Sequence, residues 1–211
     1  MNVGVIIPAK SPSVSKSRLK NFLSDNHREK LTSSLLRHVI STVVSTSNVT
    51  ECVVVSSDSD LINSLSSSGV SVIKETKLSG VNAAVKLGND YFIKKKYSCT
   101  IVLPGDLPLI TSDEINLIIK LGTFSNSVII SPSESLNGTN ALLSNPPAII
   151  TTKFDQDSYN SHYSESKKLN LRTIILFSPR IMCDLDTPED LLNLMMNDEF
   201  KSRYSFLSEY L

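Results

Sequence analysis

The chain has 211 residues, of which 40% are hydrophobic and 20% are charged, and its formal net charge is +0. This length and hydrophobic content suffice for one sizeable core, so we expect a single domain spanning residues 1–211. Zero net charge argues against a nucleic-acid binder that works through bulk electrostatics. Because no apolar stretch approaches a membrane span and residues 1–7 lack signal-peptide features, the sequence predicts a cytoplasmic protein without a membrane partner.

Strands and helices alternate along the first 120 residues. Apolar and β-branched runs predict strands at residues 3–7, 51–55, 70–73 and 100–103. Helical spacing predicts helices at residues 26–44, 58–65 and 82–95, and a further helix that begins at Thr111. Asn26 with Glu29, and Thr111 with Glu114, are spaced as capping boxes. This alternation predicts an α/β fold with a doubly wound, mixed, mainly parallel sheet.

The second half is less regular. Short strands are predicted at residues 128–131, 139–143, 148–151, 171–177 and 181–184, with a polar helix near residues 158–168. Thr187 is placed as an N-cap and Pro188 at the first helical position, which predicts a helix over residues 191–196. The three cysteines have no C-x-x-C spacing, and they are expected to be reduced, buried thiols.

Acidic residues close two of the predicted strands. Asp106 follows the apolar run at residues 101–103, and the Asp184-Leu185-Asp186 motif closes the run at residues 181–183. Open α/β sheets bind ligands beyond the carboxyl ends of their strands, and Mg2+ prefers carboxylates together with substrate phosphate oxygens. One such aspartate alone is explained as well by a helix or turn cap. The two acidic groups and a basic loop together favour a metal site at Asp106, Asp184 and Asp186.

The basic loop follows the first predicted strand and carries Lys10, Lys16 and Arg18. A lysine acts on phosphate oxygens as a point charge, whereas an arginine binds them in a fork. The loop therefore predicts a clamp for a polyphosphate. The alternative is a solvated basic loop without a ligand.

Seven motifs along the chain resemble one family, the 2-phospho-L-lactate guanylyltransferases of coenzyme F-420 biosynthesis. They are Pro8-Ala9-Lys10, Lys16-Ser17-Arg18-Leu19, Arg28 with Leu31, Val81-Asn82-Ala83-Ala84, Gly105-Asp106-Leu107-Pro108, Gly138-Thr139-Asn140-Ala141-Leu142 and Asp184-Leu185-Asp186-Thr187-Pro188-Glu189-Asp190-Leu191. Each motif is weak alone, but their order and spacing are specific. The first loop is also poorer in glycine than that of ordinary sugar-nucleotide transferases.

The resemblance implies a fold of the nucleotide-diphospho-sugar transferase type and a reaction between two phosphorylated substrates. GMP from GTP would be joined to a small phosphorylated carboxylic acid, with release of pyrophosphate. The acid is expected to be 2-phospho-L-lactate, with phosphoenolpyruvate and 3-phosphoglycerate left open. The resemblance also assigns residues to four groups: nucleotide binding (Pro8, Ala9, Lys10, Lys16, Arg18, Asn82), acceptor binding (Thr139, Asn140, Asp155, Ser158), Mg2+ (Asp106, Asp184, Asp186) and catalysis (Lys16, Arg18, Asp106).

One segment departs from the family pattern. The family usually has Phe-Gly-x-x-Ser followed by a histidine, whereas this chain has Asp155 where the glycine stands; Ser158 and His162 keep their places. Asp155 is expected to point away, to pair with a cation such as Lys153, or to join the metal shell. We prefer the first, because aspartate tolerates the left-handed conformation that glycine often supplies. His162 is either a surface histidine or a ligand.

Two other classes of function are compatible with these motifs. The D-x-D pattern at residues 184–186 also occurs in glycosyltransferases, and a non-catalytic guanine-nucleotide binding protein would share the fold. At the C-terminus, the apolar residues Phe200, Tyr204, Phe206 and Leu207 would provide either a homodimer contact or packing on the sheet.

Overall fold

The computed structural model describes residues 1–65, 68–76 and 80–210. The strands are β1 (Val3–Pro8), β2 (Glu51–Ser56), β3 (Ser71–Lys74), β4 (Cys99–Val102), β5 (Ser127–Pro132), β6 (Thr139–Asn145) and β7 (Arg172–Ile175). The helices are α1 (Asp25–Ser45), α2 (Ser59–Ser64), α3 (Val81–Lys94), α4 (Ser112–Leu121), α5 (Ser158–Lys168), α6 (Pro179–Met182), α7 (Pro188–Leu194) and α8 (Asp198–Arg203). Short 3-10 turns cover Pro12–Val14, Ser17–Leu19 and Ser205–Tyr210.

The strands form one seven-stranded sheet in the order β3-β2-β1-β4-β6-β5-β7. Pairing is parallel from β3 to β4 and between β5 and β7, whereas β6 is antiparallel to both of its neighbours. This confirms the predicted doubly wound, mixed, mainly parallel sheet. Its parallel half brings the carboxyl ends of β1, β2, β3 and β4 to one edge, which is where such sheets bind ligands.

Apolar side chains cover both faces of the sheet. One core cluster packs α1 and α4 on one face, and another packs α3 on the opposite face. Gly88 of α3 permits the close approach of that helix to β1, because a Cβ atom there would lie 2.7 Å from Ile6. The central strands are therefore fixed from both sides, and so are the loops that leave their carboxyl ends.

Several predicted elements are confirmed and others are wrong. Asp58 caps α2, and the capping box that begins α4 is present, as predicted. Helix α1 begins one residue earlier than predicted, and Ser24 is its N-cap in place of Asn26. No strand forms at residues 148–151, because the preceding Pro146-Pro147 pair lacks the N–H donors of a ladder. Residues 181–184 are not a strand either: Pro179 begins α6, which contains Ile181.

The C-terminal apolar residues pack against helices rather than against the sheet. Phe200, Tyr204 and Leu207 are fully buried in a cluster with Leu31 and Leu35 of α1. This segment therefore closes the outer side of α1, and the homodimer stays a prediction. Within the described ranges, no helix is long and apolar enough to cross a membrane. All three cysteines are free thiols, and Cys183 is only half-buried.

A half-buried hydrogen-bond cluster lies at the start of β2, on the side of the sheet opposite the carboxyl ends of the parallel strands. The Glu51 carboxylate accepts from Tyr91 Oη at 2.5 Å, Tyr97 Oη at 2.7 Å and Ser71 Oγ at 2.8 Å, and it pairs with Lys95 Nζ at 3.0 Å. Burial opposes ionisation of Glu51, but these hydrogen bonds outweigh it and lower the pKa of the carboxyl group to about 2. The ionised form of Glu51 therefore ties β2, β3 and α3 together.

Replacing Glu51 by glutamine is expected to destabilise the fold at neutral pH. The lowered pKa corresponds to roughly 3 kcal/mol of stability, fully present above the ordinary pKa of 4.5 and lost as the pH falls through about 2. In urea denaturation, the free energy of unfolding of Glu51→Gln should therefore be about 2–3 kcal/mol lower than that of the wild type at pH 7. This difference should shrink as the pH falls towards 2. Glu29→Gln, on the exposed face of α1, is the matched control. A difference in unfolding free energy that does not change with pH would show that the ionised Glu51 carboxylate does not stabilise the fold.

Candidate active site

A cleft of about 460 Å³ opens at the carboxyl ends of β1 and β4. Its walls are the loops that follow these two strands, the start of β6, the start of α5 and the segment between α6 and α7. All the predicted site residues line it except Arg18 and Asn82, and each of these contacts a residue that does. The structure therefore brings together residues that lie up to 178 positions apart in the sequence, from Pro8 to Asp186.

The carboxylates meet through a backbone contact between two loops. Asp106 lies in the loop after β4, and its carbonyl oxygen accepts from the backbone N–H of Leu185 at 3.3 Å. That bond places Asp184 and Asp186 beside Asp106. The expectation that the Asp184-Leu185-Asp186 motif ends a strand is wrong, since it follows α6 in extended backbone. The convergence of the three carboxylates nevertheless holds.

Lys16 lies between two of these carboxylates. Its Nζ atom is 2.5 Å from Asp106 Oδ2 and 2.8 Å from Asp186 Oδ1, and its side chain is only 6% exposed. Burial opposes its charge, but the two carboxylates outweigh that effect and raise the pKa of the ammonium group. Lys16 adopts the left-handed conformation with φ 55°, which a lysine rarely does. Its ammonium group is therefore occupied by the acids instead of facing the cleft as a free cation.

Asn140 positions the third carboxylate. Its Nδ2 atom is 3.0 Å from Asp184 Oδ1, and it also donates to the carbonyl oxygens of Ile181 and Met182 at 3.0 and 3.1 Å. Burial, and then the negative charge of Asp106, raise the pKa of Asp184 to about 6, although the bond from Asn140 opposes this. The side chain of Asn140 thus holds the segment that carries Asp184, in addition to lining the cleft.

The chemistry of this donor set fits a Mg2+ ion. Three carboxylates supply hard oxygen ligands, and burial, together with the negative charge of Asp106, raises the pKa of Asp184, so a bound cation would stabilise its ionised form. Among the residues that the structure describes, no three His, Cys, Asp or Glu side chains already form a metal-binding group. The ammonium of Lys16 stands between Asp106 and Asp186 instead.

Two other cations of the basic loop are available to a ligand. Lys10 is exposed, and it forms no ion pair with any described residue. The Arg18 side chain is 71% exposed, and Nη1 lies 3.8 Å from Asp186 Oδ2, so most of its donors are free. Both side chains are therefore able to turn towards phosphate oxygens in the cleft.

His162 fixes the wall of the cleft that contains Thr139 and Ser158. The backbone N–H of Lys153 donates to Nε2 at 2.9 Å, so Nδ1 carries the proton and donates to Thr139 Oγ1 at 3.0 Å. Burial, and then the charge of Lys153, lower the pKa of His162 to about 4. The alternative of a surface histidine is wrong, because His162 is fully buried. Ser158, the first residue of α5, is also buried.

Asp155 bridges the two sides of the cleft. Its Oδ2 atom accepts from Asn82 Nδ2 at 2.8 Å, and Asn82 Oδ1 accepts from the backbone N–H of Phe154 at 2.7 Å. The preferred expectation that Asp155 points away is wrong, because the start of α3 offers it an amide donor. The left-handed position of this turn is Asp157, with φ 55°.

Glu75 belongs to none of the sequence motifs. This residue directly follows β3 and lines a recess beside residues 8–10, at the end of the cleft remote from Asp106. The signal available in the sequence was an acidic residue just after a predicted strand, the same arrangement that drew attention to Asp106.

Solved structures share this fold at low sequence identity. A protein of Desulfovibrio desulfuricans G20, predicted to be a nucleotide-diphospho-sugar transferase, superposes with a TM-score of 0.79 at 16% identity, covering 99% of this chain and 95% of that one. A cytidylyltransferase from Leptospira borgpetersenii superposes with a TM-score of 0.62 at 16% identity, covering 99% and 94%. The chain therefore has the predicted nucleotide-diphospho-sugar transferase type of fold.

Relatives with closer sequences are guanylyltransferases. The 2-phospho-L-lactate guanylyltransferase of Methanobrevibacter smithii is 32% identical over 204 residues, covering 97% of this chain and 88% of that one. The phosphoenolpyruvate guanylyltransferase of Rubrobacter xylanophilus is 29% identical over 194 residues, covering 92% and 94%. A family model described as guanylyl transferase, CofC like, matches residues 3–210. This chain therefore belongs to the CofC-like guanylyltransferase family.

Proposed function

We propose that this protein transfers GMP from GTP to the phosphate of 2-phospho-L-lactate, with release of pyrophosphate, in the biosynthesis of coenzyme F-420. The observation that carries the proposal is the cleft in which three carboxylates and three cations of the basic loop meet in a chain of this family. The relative from Methanobrevibacter smithii, which bears this activity as its name, matches along almost the whole chain.

The transfer requires little proton chemistry. An oxygen of the acceptor phosphate attacks the α-phosphorus of GTP in line, the bond from the α-phosphorus to the bridging oxygen breaks, and pyrophosphate leaves. Because the attacking oxygen already carries negative charge, no general base is needed. Catalysis then rests on positioning the two substrates and on neutralising their charges.

The chain supplies these two effects from opposite sides of the cleft. Lys10 and Arg18 would bind the triphosphate and carry the charge that develops on pyrophosphate. Thr139 and Ser158 line the acceptor side, where His162 fixes the Thr139 hydroxyl group. These residues would hold the acceptor phosphate against the α-phosphate.

Asp106, Asp184 and Asp186 would hold Mg2+, with Lys16 keeping two of them in place. When bound, the ion would polarise the α-phosphate and screen the repulsion between two anionic reactants. Asn140 contributes by fixing Asp184 in position.

Arg18→Ala is expected to raise the KM for GTP by about 10-fold or more, because a charged hydrogen bond to phosphate is lost. Arg18→Lys should recover only part of that loss, since an ammonium group does not reproduce a forked contact. Steady-state kinetics at varied GTP measures both effects, with Arg37→Ala on the exposed side of α1 as the control. Unchanged kinetics in both Arg18 variants would show that the loop is merely solvated.

Phosphoenolpyruvate is the second candidate acceptor, because the relative from Rubrobacter xylanophilus bears that activity as its name and matches 92% of this chain. Pyrophosphate release should be measured with GTP, Mg2+ and 2-phospho-L-lactate, phosphoenolpyruvate or 3-phosphoglycerate in turn. We expect the highest kcat/KM for 2-phospho-L-lactate. A higher value for either other acid would replace it as the acceptor.

A further inference from the structure

Among the described residues, one buried carboxylate close to the cleft has an oxygen without a hydrogen-bond partner. Glu75 is 7% exposed, although Lys74 and Thr76 on either side of it are exposed. Its backbone N–H donates to the carbonyl oxygen of Ser56 at 2.8 Å, which fixes the residue beside the end of β2. Its Oε1 atom is fully enclosed and accepts no hydrogen bond from any residue that the structure describes.

Such a group is costly for the ligand-free protein. A buried acceptor without a donor loses its hydration and gains nothing in return, and this cost is larger for a charged group. Burial also raises the pKa of Glu75, because it penalises the charged form of the carboxyl group. An enclosed carboxylate that lacks donors in the free protein is therefore prepared for donors that arrive with a ligand.

The recess that contains Glu75 adjoins the cleft. Both spaces are lined by Pro8, Ala9, Lys10 and Val81. The recess therefore begins where the basic loop leaves β1. In the sheet, β3 and β4 are three strand spacings apart, which is about 14 Å. Glu75 follows β3, and Asp106 lies in the loop after β4. A nucleotide lying across the strand ends with its phosphates near Asp106 would extend its base towards Glu75.

The donor pattern of guanine matches this carboxylate. An ionised carboxyl group only accepts hydrogen bonds, and its two oxygens suit two neighbouring donors. Guanine presents N1–H and the exocyclic N2 amine side by side, whereas adenine and cytosine each present an acceptor next to their amine. Uracil offers one N–H between two carbonyl groups. Of the four bases, guanine alone offers two adjacent donors.

We infer that Glu75 reads the base of the donor nucleotide, accepting hydrogen bonds from N1–H and the N2 amine of guanine and thereby selecting GTP. The inference rests on the proposed function, because it takes GTP as the donor. It goes beyond that function in assigning the choice of base to a residue outside the metal, phosphate and acceptor positions.

The test compares GTP with ITP, which lacks only the N2 amine, in the wild type and in Glu75→Gln. The wild type should prefer GTP to ITP by about 10-fold or more in kcat/KM, because the analogue leaves one carboxylate oxygen without its donor. In Glu75→Gln the activity with GTP should fall by about 10- to 100-fold, and the preference for GTP over ITP should disappear. The reason is that one carboxylate oxygen becomes an amide donor facing the N2 amine.

Two controls separate base reading from a structural role. Glu29→Gln should behave as the wild type with both nucleotides, since Glu29 is exposed on α1. The Tm of ligand-free Glu75→Gln should be unchanged or higher than that of the wild type, because an unpartnered buried charge has been removed. A lower Tm with equal losses for GTP and ITP would overturn the inference in favour of a structural role.

Calorimetric titration of GTP and ITP without an acceptor distinguishes this inference from the proposed function. A preference for GTP that depends on Glu75 would support base reading even if no acceptor were ever guanylylated. Equal binding of GTP and ITP by the wild type, an unaltered preference in Glu75→Gln, or no nucleotide binding at all would each overturn it.

Discussion

Asp106→Asn is expected to lower kcat by about a thousandfold or more while leaving the fold intact. Asp106 Oδ2 lies 2.5 Å from Lys16 Nζ, and its charge contributes to the raised pKa of Asp184. Asparagine keeps the shape of the side chain and one acceptor for Lys16, so packing should persist. It removes one of the three carboxylates proposed to hold Mg2+, and so weakens the binding of the ion that would screen the negative charges of the phosphates in the transition state.

The measurement is kcat at saturating GTP, acceptor and Mg2+, together with the Tm of the ligand-free variant. Asp113→Asn is the matched control, because Asp113 is exposed on the first turn of α4. An Asp106→Asn enzyme with a near-normal rate would remove this carboxylate from the catalytic assignment. If the Tm of Asp106→Asn were much lower than that of the wild type, the lower kcat would reflect partial unfolding instead.

Lys16→Met is expected to lower both activity and stability. Methionine retains the length of the side chain but leaves Asp106 and Asp186 without the ammonium that lies 2.5 and 2.8 Å from them. Removing one partner of a fully buried ion pair lowers the free energy of unfolding by roughly 3–5 kcal/mol. Because both carboxylates are partly exposed, we expect a loss of about 2 kcal/mol here. We also expect Mg2+ to raise the Tm of this variant more than that of the wild type. In the variant, Mg2+ no longer competes with the ammonium group of Lys16 for the carboxylates of Asp106 and Asp186.

Thermal unfolding with and without Mg2+ checks both statements without any need for turnover. Lys20→Met, at an exposed position of the same loop, controls for the loss of a positive charge. A Lys16→Met variant that matched the wild type in Tm and activity, or an equal shift of both Tm values by Mg2+, would contradict this role of Lys16.

The sequence predicted the sheet because its signals are local. Residues 51–55 and 101–103 are apolar runs that belong in buried parallel strands, and the capping box at Thr111 specifies a helix start whatever surrounds it. The run at residues 181–184 is equally apolar, and it was wrongly predicted as a strand. There the proline at position 179 begins a helix, and Ile181 is buried by the turn of that helix.

The partners of the site residues were not predictable, because they depend on how distant loops meet. The motifs placed Lys16 in a polyphosphate clamp, but a loop from 170 residues further along the chain brings Asp186 to its ammonium group. Asp155 likewise finds its donor in Asn82, 73 residues earlier. Burial of Glu75 is a property of the tertiary structure alone, since its neighbours in sequence are polar and exposed.

Identification of the products formed from GTP and 2-phospho-L-lactate with Mg2+ tests the proposed guanylyl transfer. Mass spectrometry and 31P NMR should show one equivalent of pyrophosphate and a guanosine diphosphate diester joined to lactate through the acceptor phosphate. Free GDP as the product would indicate a different reaction at this cleft. Tight GTP binding without any product from 2-phospho-L-lactate, phosphoenolpyruvate or 3-phosphoglycerate would contradict the proposed guanylyl transfer.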